Sequence, residues 1–438
     1  MRLRVNLLLM AFVCLPLGAA VTFHKDVVPI LQARCQSCHR PGEAAPISFL
    51  TYQSTRPWAK AIRQAVLQRR MPPWSAEPGI AHLRNDPTLT KQQLETLVAW
   101  ADSGAAEGDS KDAPPPREFI EGWNLGRPDV VFEMPVDYEV PATGKIDYTF
   151  VILPTNLKRD RWVQASEARP GNRAVVHHAV AWVRTPESKW LRDYPVGVPF
   201  VAKPRPGTSK RTSDGDRTLE GSIHDERIAN YAPGRNAWIF PPGQAMLLKA
   251  GSDIVFQLHY TTNGKPARDR SRIGFVFAKE PPAKRVFNFG LGNAGFVIPP
   301  GAPAHRVEGR ETLLQDIELL SFNPHMHLRG KAMEYRAVYP SGQTEVLMRV
   351  PRYDFRWQHS YELAAPKRLP KGTRLEVTAT YDNSPNNPDN PDPKAEVRWG
   401  DQSWEEMMVG FVNMAIPRDL DLAKLVAPRP PGESGGVR

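Results

Sequence analysis

The chain has 438 residues, more than one domain usually holds, so two or three separately packed domains are expected. Its 57 Lys and Arg against 47 Asp and Glu leave a net charge of +10, dispersed with no dense basic block. That pattern, with no recognisable motif, argues against a nucleic-acid-binding protein and leaves an acidic partner or anionic surface as the electrostatic fit. Three cysteines in such a length exclude a disulfide scaffold.

The chain opens with MRLRV, a basic stretch, followed by LLLMAFVCLPLG, apolar but too short to cross a bilayer, and then Gly18, Ala19 and Ala20. This is the order of a secretory signal peptide over 1–20, so the mature protein is expected to be periplasmic or secreted. Cys14 leaves with that segment, and Ala-Phe-Val ahead of it makes a poor lipoprotein box. No later stretch is apolar and long enough for a transmembrane helix.

From 21 to 108 the pattern is helical. Val28, Leu31, Cys35 and Cys38 recur at helical spacing and end in CQSCH, residues 35–39. C-x-x-C-H is the attachment pattern of c-type haem: two thiols bond the vinyl groups, and the adjacent His39 becomes the proximal iron ligand. A redox dithiol would have no need of that histidine. Further on, the amphipathic PWAKAIRQAVLQRR is closed by RRMPPW, where prolines enforce an extended turn around Met71, the expected distal ligand, with His82 as its rival. The segment TKQQLETLVAWADSG has a capping box in Thr90 and Gln93 and an apolar stripe of Leu94, Leu97, Val98 and Ala101. This segment resembles a small class I-like cytochrome c, which implies an all-α domain.

A linker, 109–117, then gives way to short alternating runs, DVVFEMPV, VVHHAVAWV, DIVFQLHYTT, EVLMRV and LEVTATY, broken by Pro, Gly and Asn turns. These predict antiparallel β-sandwiches, with length for two, 118–283 and 284–420, and a disordered tail over 421–438. Within them the histidines are patterned. On a strand His325 and His327 share a face while Met326 turns away, and His259 shares with Gln257 the face opposite Ile254, Phe256, Leu258 and Tyr260. His177 and His178, as neighbours, reach one metal only with wide angular separation or through a β-bulge. Met407 and Met408, expected in a late strand, offer a soft thioether that favours Cu(I).

The order HH, LHYT, HMH and EEM, with the IPPGA turn at 298–302, resembles the copper type II ascorbate-dependent monooxygenases, the family of peptidylglycine α-hydroxylating and dopamine β-monooxygenases. The resemblance spans about 120–415. It implies two jelly-roll sandwiches whose two mononuclear copper sites face each other across a water-filled cleft. His177, His178 and His259 would hold the electron-storing copper, and His325, His327 and Met407 the copper that binds dioxygen and attacks the C–H bond. Met408 occupies the place of a family cysteine. Where the peptide-amidating branch anchors a substrate carboxylate with arginine, asparagine and tyrosine, this chain has Asn323, Val409 and Phe411, which speaks against peptide amidation. Arg329 and Tyr335 are the residues that would rebuild an anion site.

The sequence thus reads as a small cytochrome c domain followed by two all-β jelly rolls, with two coppers and one covalent haem c. The expected activity is O2-dependent hydroxylation of a small organic substrate, driven by ascorbate or a protein electron donor through the haem. The alternative is a non-catalytic protein that carries electrons or copper.

Overall fold

A computed structural model of the chain describes residues 20–43, 45–120, 122–202, 225–234 and 237–428. The expected signal peptide, apart from Ala20, and the last ten residues lie outside the described residues. The architecture is mostly β, in several sheets, with few and short helices. Two compact units divide the chain. One contains the segment up to Pro41 with Pro46–Pro72 and Thr88–Arg117; the other contains Gly42–Ala45, Pro73–Pro87 and the chain from Glu118 onward.

The regular structure described in the first unit is helical. Val28–Arg34 starts with proline in its first turn, where a missing N–H costs nothing, and buries Val28, Ile30 and Leu31. Ala59–Leu67 buries Ala59, Ile62 and Val66 at 3–4 residue spacing. Lys91–Asp102 begins with the expected capping box, Thr90 and Gln93 each accepting from the other's backbone N–H, and drives Leu97 and Trp100 fully into the core. The supposed linker is tied down here: the Gln32 side chain donates to the Pro115 carbonyl at 3.0 Å.

In the second unit a five-stranded sheet joins, in spatial order, Phe200–Val201, Thr149–Pro154, Asp253–Tyr260, Val176–Arg184 and Asp225–Tyr231. A four-stranded sheet joins His305–Thr312, Arg374–Tyr381, Gly330–Val338 and Thr344–Val350. Both sheets are overlaid by one nine-stranded sheet. Its main path ends in Val409–Pro417, Ile317–His325 and, at the edge, Tyr361–Leu369. Among the described residues two large apolar cores result, one within 134–286 and one within 287–426, with a smaller cluster that joins Tyr148, Phe150, Trp182 and Val255 to Val409 and Phe411. The join between them is a parallel pairing of Lys284 and Arg285 with Gln244 and Ala245, so the two sandwiches share a sheet where the sequence suggested a break.

Two further differences from the expected boundaries have simple causes. Pro73–Pro87, expected inside the helical domain, belongs to the β unit, where Leu83 bridges Leu363 and the His82 carbonyl accepts from the Ala364 N–H at 2.9 Å. Trp74, in the same strap, packs on Tyr361 with ring centroids 4.6 Å apart. Residues 421–428, expected in a disordered tail, are ordered: Leu425 and Val426 enter the second core, and Val426 bridges Leu313. Among the described residues no helix is long and apolar enough to cross a membrane.

Candidate metal centres

His178 and His259 are cross-strand partners in the five-stranded sheet. The next register pair is Tyr260 with Val176, so His177 is the extra residue of a β-bulge. The bulge solves the problem of adjacent histidines, because it turns the His177 ring onto the face that already carries the other two. The three ring centroids lie 4.9–5.4 Å apart, and one ligand atom from each falls within 4.8 Å of the others. His177 and His178 bring their Nδ1 atoms to 3.2 Å, close to the separation of two nitrogens held about 2.0–2.1 Å from one ion. His259 Nδ1 is buried without a hydrogen-bond partner, an orphan that a metal would satisfy.

Burial keeps these imidazoles neutral, the form that ligates metal. Desolvation lowers His177 to about 4 and His259 to about 3, helped in His259 by the neighbouring His177, and it holds His178 well below its ordinary value. In the metal-free chain the unfolded state therefore takes up protons below about pH 6.5, while the folded state resists until about 4 or 3. Stability is expected to fall with pH across that window, at up to about 1.4 kcal/mol per pH unit for each histidine. Thermal midpoints of metal-free protein from pH 8 to pH 5 check this; a curve that stays flat below 6.5, or is unchanged in His259→Phe, contradicts it.

The second cluster lies at the end of Ile317–His325. The strand stops at His325, and His327 falls in the turn that follows, so the pair does not share a regular strand as expected. The rings nevertheless stand 5.2 Å apart and almost perpendicular, and Met326 points the other way into the second core. Each ring is oriented from behind. His325 Nδ1 meets Gln358 Oε1 at 2.8 Å, and His327 Nδ1 meets the Glu405 carbonyl at 3.3 Å. Both acceptors assign the proton to Nδ1, and His327 Nε2 is left buried without a partner.

Met407 and Met408 precede the strand Val409–Pro417 and do not lie in it. Met408 is a member of the second core, whereas Met407 is buried outside it, its carbonyl accepting from Tyr381 OH at 2.6 Å. Between this segment and the histidines stands Glu406, fully buried. One oxygen accepts from the His327 N–H at 2.8 Å and the other from the Arg329 N–H at 2.6 Å. Burial pushes this carboxyl up to about 8, against the pull of those N–H groups, of the Arg329 charge and of the Met407 N–H. Glu406 thus ties the histidine turn to the methionine segment, a role that reading EEM as a signature missed.

Arg329 and Tyr335 do not form an anion site. Arg329 is 1% exposed and spends its guanidinium on Asn383 and the Trp404 carbonyl; Tyr335 lies in the second core, its hydroxyl on the Phe411 carbonyl. Asn323 donates to the His359 carbonyl at 2.8 Å.

The loop 351–360 also went unread. Its Tyr353 hydroxyl donates to the Met326 carbonyl at 2.7 Å, and Gln358 holds His325. Its Phe355 ring lies 5.4–6.4 Å from all three rings of the first cluster and 5.8 Å from His327. The gap between the clusters is therefore occupied at this point by a buried aromatic ring, where solvent alone was expected. A cleft of about 430 Å³, its open mouth included, touches both clusters through His178 and His325. The one sequence signal for the loop was its aromatic density, YDFRWQHSY.

In the helical unit, neither Cys35 nor Cys38 is in a disulfide. Burial, then the neighbouring Cys38, push the Cys35 thiol up to about 12, which suits a thiol better than a reactive thiolate. His39 stacks on Phe49 at 4.2 Å, and its Nδ1 faces the Ile47 carbonyl at 3.2 Å. That bond would leave Nε2 as the nitrogen to ligate a haem iron, if one were held by Cys35 and Cys38. Met71 follows the helix Ala59–Leu67 in the same unit, while His82 belongs to the strap of the β unit.

Residues 290–419 match the family model described as copper type II ascorbate-dependent monooxygenase, C-terminal domain. The matched stretch includes His325, His327, Glu406 and Met407, so the chain carries a copper-dependent monooxygenase domain, an oxidoreductase. No curated protein matches the chain. Two solved structures, of infectious bursal disease virus Gt strain and Gx strain, are 10% and 7% identical with TM-scores of 0.16 and 0.10. They cover 73% and 69% of this chain and 88% and 86% of their own, and at that similarity they carry no argument.

Proposed function

We propose that the protein is a periplasmic or secreted haem–copper monooxygenase that hydroxylates an activated C–H bond of a small organic molecule. The observation that carries this reading is the pair of histidine clusters converging on one cleft, one cluster of three nitrogens and one of two beside a methionine segment. The balance is R–H plus O2, two electrons and two protons to R–OH and water. Copper bound at each cluster supplies one-electron redox chemistry and the activation of O2. His177, His178 and His259 would hold one ion, and His325, His327 and Met407 the other, softer site. The chain's own work is to keep these imidazoles neutral, aim them through Gln358 and the Glu405 carbonyl, and exclude water with Phe355.

Cys35 and Cys38 would hold a covalent haem, His39 and Met71 would ligate its iron, and the group would supply one-electron storage for a two-electron reaction. Its fusion to the copper domains makes it the electron inlet, supplementing or replacing ascorbate.

Purified mature protein is expected to contain one haem and two coppers per chain and to couple O2 uptake to product. With Cys35 and Cys38 replaced by alanine, turnover driven by a cytochrome-type donor should be lost and ascorbate-driven turnover kept. Equal rates with both reductants before and after the substitution reject the inlet. Two coppers without coupled product, across substrates with benzylic or heteroatom-adjacent C–H bonds, mark the protein as an electron or copper carrier.

A further inference from the structure

The cleft that meets both clusters is built on the face of the five-stranded sheet that carries His178. Register fixes this. His178, Val180 and Trp182 alternate onto one face of Val176–Arg184; His259 stands opposite His178, Gln257 opposite Val180, and Arg227 opposite Trp182. Gln257, Trp182 and Arg227 all line the cleft and are 3–5% exposed. The Arg227 guanidinium is held by Nε on Asn288 at 3.1 Å and lies 4.0 Å over the ring of Phe411, another lining residue.

Two properties of the lining decide what it takes. First, its formal charge is of one sign: Arg227 is present, and no aspartate or glutamate lines the cleft among the described residues. Second, its unsatisfied hydrogen bonding is nearly all of one sense. Gln257 Nε2, Trp182 Nε1 and Gln358 Nε2 are buried donors without a partner, against one such acceptor, Asn230 Oδ1. A buried donor left unpaired costs about 1–3 kcal/mol, so the cleft is built to receive acceptor oxygens. The rest of its wall is apolar or aromatic, including Val180, Ala232, Tyr148 and Phe411.

We propose that Arg227, with Gln257 and Trp182, anchors the carboxylate of the substrate, and that the substrate is a small carboxylic acid with an apolar or aromatic body. This rests on the monooxygenase reading and names its substrate class. The Phe411 ring stands between this anchor and the second cluster, 4.0 Å from the Arg227 guanidinium and 6.3 Å from the His325 ring. The acid therefore needs several bonds between its carboxylate and the carbon that is attacked. This anchor comes from the first sandwich and is unrelated to Arg329 and Tyr335.

The test uses 5-phenylpentanoate and 5-phenylpentanamide, matched in length and differing in charge, titrated calorimetrically into the full chain with and without copper. The acid is expected to bind at least about tenfold more tightly than the amide, a difference of about 1.4 kcal/mol, in both metal states. Arg227→Gln should erase the preference and Trp182→Phe should reduce it, while Arg306→Gln, at an exposed position of His305–Thr312, leaves it intact. Equal affinity for acid and amide in the unaltered chain overturns the anchor without recourse to any variant, as does an undiminished preference in folded Arg227→Gln. If the acid is preferred but the copper-loaded enzyme forms no hydroxylated product, the monooxygenase reading fails while the anchor stands. If acid and amide are hydroxylated with equal kcat/KM, the anchor fails and the reading stands.

Discussion

His178→Ala is expected to yield a folded protein with one copper fewer per chain and hydroxylation lowered by more than the roughly 10–100-fold typical of losing an outer partner of a metal ligand. His178 stands opposite His259 in the register and is the most enclosed ring of its cluster, so its loss leaves two nitrogens on a bulge with nothing between them. Copper counting and single-turnover kinetics check this: the copper at His325 and His327 should remain and turnover should stop for want of the second electron. A variant that retains two tightly bound coppers removes His178 from the ligand set. Folding should survive, because the substitution relieves a desolvated imidazole while leaving the ladder of Ile254, Phe256 and Leu258 against its neighbours undisturbed.

Glu406→Ala should cost about 3–5 kcal/mol of stability and weaken copper at the second cluster by at least tenfold. Its two oxygens satisfy the N–H groups of His327 and Arg329, beside the buried guanidinium of Arg329. Removing it strands two buried N–H donors in a site with little access to water. Denaturant unfolding and copper titration would each report the change. Glu406→Gln keeps the shape and one acceptor oxygen but sets an amide NH2 against a backbone N–H, and should fall between. Unaltered copper affinity in Glu406→Ala would assign the residue to packing alone.

What was legible in the sequence was whatever is periodic or local. The strands under VVHHAVAWV, DIVFQLHYTT and LEVTATY, the capping box at Thr90, and the opposed faces of Asp253–Tyr260 follow from spacing of two or three to four residues. The bulge at His177 is one of the two ways, wide angular separation being the other, in which adjacent histidines could meet one metal. What was hidden depends on contacts distant in the chain. Glu406 reaches back some eighty residues to His327, and no local pattern distinguishes it from Glu405. Phe355 sits in a loop whose position is set by Gln358 and Tyr353 on the histidine turn. The ends of strands were misplaced at His325 and Met407 because alternation continues in the letters after the ladder has stopped.

The strap Pro73–Pro87 bears on how this protein is divided for study. A strand at the end of a sheet exposes unpaired N–H and C=O groups that invite another chain, and Tyr361–Leu369 would be such a strand. The strap occupies it with the Arg84 N–H on the Glu362 carbonyl at 2.9 Å, the Asn85 amide on the Ser360 carbonyl at 2.8 Å, and the Leu83 bridge. A fragment beginning at Glu118 contains every candidate copper ligand yet leaves this flank bare, ready to dimerise or aggregate edge to edge. A fragment beginning at Pro73 keeps the flank closed but drags along the helical unit's Thr88–Arg117 without its partner helices. The catalytic half is thus not a cassette: the stretch that ends the helical unit's Met71 turn serves as the selvedge of its sheet.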